Sequence, residues 1–296
     1  MKDMGIDRTL LWPTLASVLE ERVADDPDLV VAVVHALNQW MDEHWGYAYS
    51  DAIYSTPIIS LAAGVDVALQ ELAYVAERGA RIFLIRVAPV PTWKGRKSFA
   101  LQEFDPFWEA VQDLDIVVGM HSGDPGYQRY SNEWDGIPNE MLPFKAVGSP
   151  AFHAMMSEKL PVWDGVASII GHGLATRFPR LKFMPVEYWA GWIRPFVARM
   201  RAAYERSPLI FDEDPFEVFK RNIYVHTFHE PDPQDLVDNW ELPADRLMFG
   251  SDFPHPEGLA DPLAYSETVK DMSPENQALI MGGTIARALK VGQYAV

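Results

Sequence analysis

The chain has 296 residues, 48% of them hydrophobic, which suits a single large α/β domain over 1–296 and forces no second one. Its 42 acidic and 25 basic residues leave a formal net charge of −17, a balance that disfavours nucleic acid and anionic membrane as partners. There is no cysteine, which excludes disulfides, thiolate zinc sites and cysteine nucleophiles. No run is apolar for the roughly 18 residues of a membrane span, and the charged stretch 1–7 leads into no signal-peptide core, so a cytoplasmic location is expected.

Apolar runs that read as buried strands lie at residues 9–13, 53–60, 82–87, 116–121, 182–187, 223–228 and 247–252. Helix-like segments separate them. Residues 65–79 carry Val67, Leu69, Leu72, Val75 and Ala76 at helical spacing, with Gly79 as the C-cap. Residues 105–114 open on Asp105 as N-cap, with Pro106 at the first helical position. Residues 191–204 read as a further helix. Ser273-Pro274 starts the last one, over 273–289, which Gly282-Gly283 splits in two. The stretch 122–163 is expected to be irregular, a lid-like loop inserted after the 116–121 strand. This alternation argues for a parallel sheet with helices outside it. Seven strands are one short of a (β/α)8 TIM-like barrel. The expectation is therefore a barrel that is incomplete, with strand 1 absent from this chain and two strand edges left open.

The most informative stretch is Gly250-Ser251-Asp252-Phe253-Pro254-His255-Pro256-Glu257-Gly258. A short apolar run leads into it, so Asp252 stands at the carboxyl end of a strand. Catalytic and metal-binding residues of parallel α/β barrels project there. A buried carboxylate at that point needs a cation or hydrogen-bond donors. His121 ends the 116–121 strand in the same way, where a neutral imidazole binds a metal or shuttles a proton; the plainer alternative is a core histidine. Glu187 ends a third strand and is followed by Tyr188-Trp189-Ala190-Gly191-Trp192, company that suits either a general base or an ion pair to Arg194. In the 223–228 run, alternation puts His226 and Phe228 on one face and Thr227 and His229 on the other, so one of the two histidines faces the pocket. Arg86 suits bidentate binding of a substrate carboxylate or a structural ion pair. His255, close behind Asp252, joins Arg86 and His226 as a substrate-binding candidate. His172 reads as structural. The sequence lacks a dinucleotide or phosphate-binding glycine loop, a His-Glu-x-x-His helix and a Gly-x-Ser-x-Gly elbow, so nucleotide, zincin and serine-hydrolase chemistry lose their signals.

The Asp252 motif, the His121-Ser122-Gly123-Asp124 strand end and Arg177-Phe178-Pro179-Arg180-Leu181-Lys182 leading to Glu187 together resemble the amidohydrolase superfamily. The closest pattern is its amidohydrolase-related group, which includes α-amino-β-carboxymuconate-ε-semialdehyde decarboxylase and γ-resorcylate decarboxylase. The resemblance runs from about Met4 to the C-terminal helix. It implies a distorted (β/α)8 barrel with a divalent metal at its carboxyl-end face, zinc first and manganese or iron as alternatives, and a homodimer. His121 then looks like the strand-5 metal ligand and Asp252 like the strand-8 ligand. The group's strand-1 His-x-His or Glu-x-His pair has no counterpart here. Two ligands fall short of the three or so that a catalytic zinc takes, so the expectation is a shortened version of a longer protein, with a metal site that these two side chains alone do not complete. The decarboxylases also carry a catalytic histidine at the end of strand 6, where this chain has Glu187. A carboxylate serves better as base than as proton donor. The sequence reading is therefore a metal-dependent hydrolase acting through a metal-activated water on a small, carboxylated or cyclic/aromatic substrate, with Glu187 and Asp252 catalytic. A decarboxylase is the alternative, and a non-catalytic barrel is the reading of another class. The lid aromatics Tyr127, Tyr130 and Trp134 suit stacking on a ring.

Overall fold

The computed structural model describes residues 1–13, 16–123, 125–137, 149–155, 160–227, 232–256 and 258–294. Its strands among these residues are β1 (Thr9–Leu11), β2 (Ile53–Ser55), β3 (Ile82–Leu84), β4 (Val90–Thr92), β5 (Gly95–Lys97), β6 (Val117–His121), β7 (Phe183–Val186), β8 (Val225–Thr227) and β9 (Leu247–Phe249). The helices that matter below are α1 (Ala16–Arg22), α2 (Pro27–His44), α3 (Val65–Glu77), α4 (Asp105–Leu114), α5 (Tyr127–Asp135), α6 (Pro150–Met155) and α7 (Leu160–Gly171). They are followed by α8 (Leu174–Arg177), α9 (Ile193–Arg206), α10 (Pro215–Asn222), α11 (Pro233–Asp238), α12 (Pro274–Ala278) and α13 (Thr284–Leu289).

Seven of the strands run parallel in chain order. β1 pairs with β2, β3 with β6 and then β7, and β8 with β9. Single bridges, Ile58 to Leu84 and Phe183 to Ile223, join these pieces. All seven strands expected from the apolar runs are present. Among the described residues no ladder joins β9 to β1, so the sheet is not closed. Side chains alternate between two clusters, as the two-residue period of a strand requires. Tyr54, Ile82, Val117, Met184, Tyr224 and Met248 fill the inside together with Ala288, Leu289 and Val291 of the C-terminal segment. Phe83, Val118, Phe183 and Val225 face the helices, against Phe107, Trp108, Ile169 and Phe196.

The end of α13 thus plugs the amino-terminal end of the sheet. Asp115 fastens it there, accepting from Lys182 at 2.6 Å and from Lys290 at 2.5 Å. Ser273 caps α12 by accepting from the Asn276 amide, and Gly282, at φ 162°, breaks the helix before α13, as the Gly-Gly pair foretells. No helix is long and apolar enough to cross a membrane among the described residues.

Three local expectations change. Asp105 is the first residue of α4 rather than its cap, because a 3₁₀ turn over Gln102–Phe104 already leads the chain in. Its carboxylate instead holds Arg177, at 2.9 Å from Nε and 2.8 Å from Nη2. The stretch 122–163, expected as irregular, carries α5, α6 and the first residues of α7; residues 124, 138–148 and 156–159 lie outside the described set. The antiparallel β4–β5 hairpin was not foreseen. Its turn works because Gly95 takes φ 99° and Thr92 donates from its hydroxyl to the Gly95 carbonyl at 2.7 Å.

Asn38 on α2 locks the join between β2 and β3. Its amide nitrogen donates to the Ile58 carbonyl (2.6 Å) and to Glu71 (2.7 Å), and its oxygen accepts from the Ile58 amide (2.9 Å), all fully buried. Asn38→Ala leaves those groups without partners and should lower unfolding free energy by roughly 2–5 kcal/mol. Denaturant titration checks this, with the midpoint falling at unchanged slope.

Candidate metal centre

The carboxyl ends of β6, β7, β8 and β9 bring His121, Glu187, His226 and Asp252 to one rim of the sheet. His121 pairs in register with Val186, so both share a face, and His226 pairs with Met248 on the inside. By alternation Glu187 would point toward the helices. A left-handed φ of 60° at Glu187 turns the chain and re-aims its carboxylate at the rim. Asp252 bends in the same way, at φ 54°, as does Trp189. Such conformations cost about 1–3 kcal/mol each in a residue with a side chain, and they concentrate at functional sites.

The resulting cluster is tight. Glu187 Oε2 lies 3.3 Å from His121 Nδ1, and Glu187 Oε1 lies 3.4 Å from His255 Nδ1. His255 Nδ1 is also 3.1 Å from Asp252 Oδ1. One donor atom from each of Glu187, Asp252 and His255 falls within 4.8 Å of the others. His121 Nδ1 also approaches the Ser122 carbonyl at 2.5 Å. With two acceptors at Nδ1, the proton belongs there and Nε2 keeps the lone pair. Burial pushes the His121 pKa down to about 4, against the Ser122 bond and with help from His255. His121 is therefore a neutral imidazole near pH 7.

His226, expected from sequence as a substrate contact, uses both ring nitrogens inside the protein. Nδ1 accepts from the Glu187 amide (3.1 Å) and Nε2 donates to the Gly250 carbonyl (3.1 Å). Burial holds its pKa at about 4. It clamps the strand ends that carry Glu187 and Asp252. A Cβ on Gly250 would stand 2.6 Å from His226 Nε2, so glycine is what lets the clamp close. Arg86 is bound by Glu21 of α1. Arg194 pairs with Asp235, not with Glu187. His172 follows α7, bonded to Ser168, as its structural reading anticipates. Among the lid aromatics, Tyr127 pairs with Asp164, and Tyr130, Trp134 and Phe152 pack on one another, with Tyr130 and Trp134 well exposed. Phe228, His229 and Glu257 lie outside the described residues.

Two contributors escape sequence reading. Trp12, just after β1, lies with its ring 5.4 Å from that of His121. Its signal is Gly119, a glycine inside a strand: a Cβ there would meet Trp12 at 2.6 Å. Tyr188 donates from its hydroxyl to the His121 carbonyl at 3.2 Å.

The donor set fits a divalent cation. Two carboxylates and an imidazole converge from different strand ends, with separations that small side-chain shifts bring to coordination distance. His255 and Glu187 thus join Asp252 where the sequence offered only His121 and Asp252.

Parallel strands whose carboxyl ends gather histidines and carboxylates belong to the α/β class of fold that carries its functional residues at that face. The chain belongs to the amidohydrolase family, whose model, Amidohydro_2, matches residues 1–291. An amidohydrolase from Mycobacterium avium subsp. paratuberculosis K-10 superposes with a TM-score of 0.88 at 31% identity, covering 97% of this chain and 72% of that one. A gamma-resorcylate decarboxylase from Polaromonas sp. strain JS666 is 26% identical over 166 residues, 53% of this chain and 45% of that protein, so the match spans less than half of the curated relative. A dihydroxybenzoic acid decarboxylase from the same organism, with bound manganese and 2-nitroresorcinol, has a TM-score of 0.67 at 17% identity over all of this chain and 86% of its own, a likeness of fold.

The two depressed imidazoles set a pH dependence. Between about pH 6.5 and 4 the unfolded chain binds protons that folded His121 and His226 refuse. Stability of the metal-free protein therefore falls as pH falls through that window, with a slope approaching about two protons. His226→Gln should remove about one proton from the slope measured by denaturation across this range.

Proposed function

We propose that this chain is a metal-dependent decarboxylase of an aromatic carboxylic acid. The observation that carries the reading is the convergence of Glu187, Asp252 and His255 beside the neutral His121 at the strand ends. A curated relative that decarboxylates gamma-resorcylate supports it over hydrolysis, the first reading from sequence. Glu187, Asp252 and His255 would hold the metal, with His121 alongside, so the site does not depend on a His-x-His pair. Two carboxylates and one imidazole favour manganese over the zinc expected at first. When bound, a divalent cation supplies positive charge that neutralises and orients substrate oxygens.

Decarboxylation needs a proton at the ring carbon that bears the carboxylate. The carbon–carbon bond then breaks, its electron pair returns to the ring, and CO2 leaves. Glu187 would hold the metal through Oε1, on the His255 side, and leave Oε2, 3.3 Å from the proton-bearing Nδ1 of His121, to pass a proton toward the ring. Trp12 backs His121 and gives an aromatic substrate an apolar wall. His226 holds Glu187 in place through its amide.

Manganese-loaded protein given carboxyl-labelled 2,6-dihydroxybenzoate should yield labelled CO2 and resorcinol. Glu187→Gln should lower that turnover by about 10²–10⁴-fold. Turnover of esters, lactones or amides without resorcinol would return the assignment to hydrolysis. Failure to retain any divalent metal by elemental analysis, with no turnover of either kind, would favour a non-catalytic barrel.

A further inference from the structure

We propose that Trp12 is a specificity-determining residue: its indole floors the site beneath His121 and limits an aromatic ligand at the metal centre to a single ring. Gly119 makes this possible, since a side chain there would drive the indole toward the metal centre. The inference rests on the decarboxylase reading above only in taking an aromatic acid as the ligand.

Strand register defines the layer that Trp12 fills. Gly119 of β6 pairs with Leu84 of β3 on one side and with Met184 of β7 on the other. Val117 belongs to the inner cluster, so by alternation Gly119 and His121 also face inward, with His121 nearer the rim. Leu84 and Met184 are buried, and between them Gly119 contributes no side chain. A gap in an inner layer is costly unless another group fills it. The Trp12 indole fills this one. A Cβ on Gly119 would stand 2.6 Å from its Cζ3 and 2.7 Å from its Cη2, the far edge of the ring system. Gly119 does not take a left-handed φ, so its missing side chain answers to space and not to backbone conformation.

The ring crosses the inside of the sheet to reach that gap. Trp12 follows β1, and the pairings from β1 through β2 and β3 to β6 set two strands between it and Gly119. On its way the side chain packs against the clusters that hold Leu84 and Met184. Its centroid lies 5.4 Å from that of His121, with the two planes inclined at 37°. Trp12 stays half-buried, so the indole is a surface of the site and not a sealed core ring.

The depth of the site follows from this stack. Glu187, Asp252 and His255 stand beside His121 at the rim, and the indole closes the space below. A ligand whose carboxylate is held at the rim meets the indole with the far side of its ring, an aromatic contact of ordinary geometry. Wedged against the β6 backbone at Gly119, the indole cannot retreat. A second fused ring would need the volume that it occupies.

Calorimetric binding of benzoate and 2-naphthoate to the manganese-loaded protein tests this. The unaltered chain should bind benzoate more tightly by about tenfold or more, the discrimination that a few carbons give in a closed apolar pocket. Trp12→Leu should shift the ratio of the two affinities toward 2-naphthoate by about tenfold or more. Gly119→Ala should weaken benzoate by about tenfold in the unaltered chain, but by less than about threefold in Trp12→Phe, whose shorter ring leaves room for the added methyl. Trp12→Phe keeps an aromatic contact in place, so this second comparison decides the matter should Trp12→Leu fold poorly. An unaltered chain that binds the two acids alike or binds neither, a ratio that Trp12→Leu leaves unmoved, or an equal cost of Gly119→Ala in both backgrounds overturns the proposal. Release of labelled CO2 from 2,6-dihydroxybenzoate is read separately. A chain that releases it without the selectivity shift loses only the indole floor, and one that shows the shift without releasing it loses only the assigned reaction.

Discussion

One neutral imidazole holds the rim of this protein together. His226 accepts a backbone proton from Glu187 and returns one to Gly250, so the ends of β7 and β9 are fixed to each other through the ring. The arrangement works only while His226 carries a single proton, and burial keeps it in that state. The left-handed turns at Glu187 and Asp252 depend on it. Each is a conformation the isolated chain would avoid, and each persists because the surrounding hydrogen bonds over-determine it.

What the clamp secures is electrostatic. Two carboxylates and two further histidines meet at distances of 3.1 to 3.4 Å. Like-charged oxygens so arranged repel unless a proton or a cation lies among them. The strain at the strand ends and the crowding of acids are two aspects of one design, in which packing of the sheet is used to assemble a binding site for positive charge.

The fold was legible because burial writes a two-residue period into strands and a longer one into helices. All seven parallel strands could be read from apolar runs, and the cap at Ser273 from local backbone chemistry; Gly79, expected as the C-cap of α3, is the left-handed residue just after the cap at Arg78. His121, Glu187 and Asp252 were legible as polar residues closing apolar runs. The role of His226 was not, because it depends on which backbone groups of other strands approach the ring. Trp12 and Glu21 were also hidden. They act across the sheet on residues far away in sequence, and only the glycine at 119 hints at the first of them. The β4–β5 hairpin escaped because its strands are three residues each and carry Pro91, Arg96 and Lys97, which disguise any alternation.

The packing of the C-terminal segment has a kinetic meaning. Ala288, Leu289 and Val291 stopper the far end of the sheet, with Asp115 and its two lysines as the fastening. Among the described residues, that end of the sheet is filled by packed, buried side chains. That packing leaves the rim, where His121, Glu187 and Asp252 stand, as the end at which a small molecule would meet the site. For the proposed reaction, substrate and product would then bind and leave at the rim, and product inhibition through that shared site would be competitive.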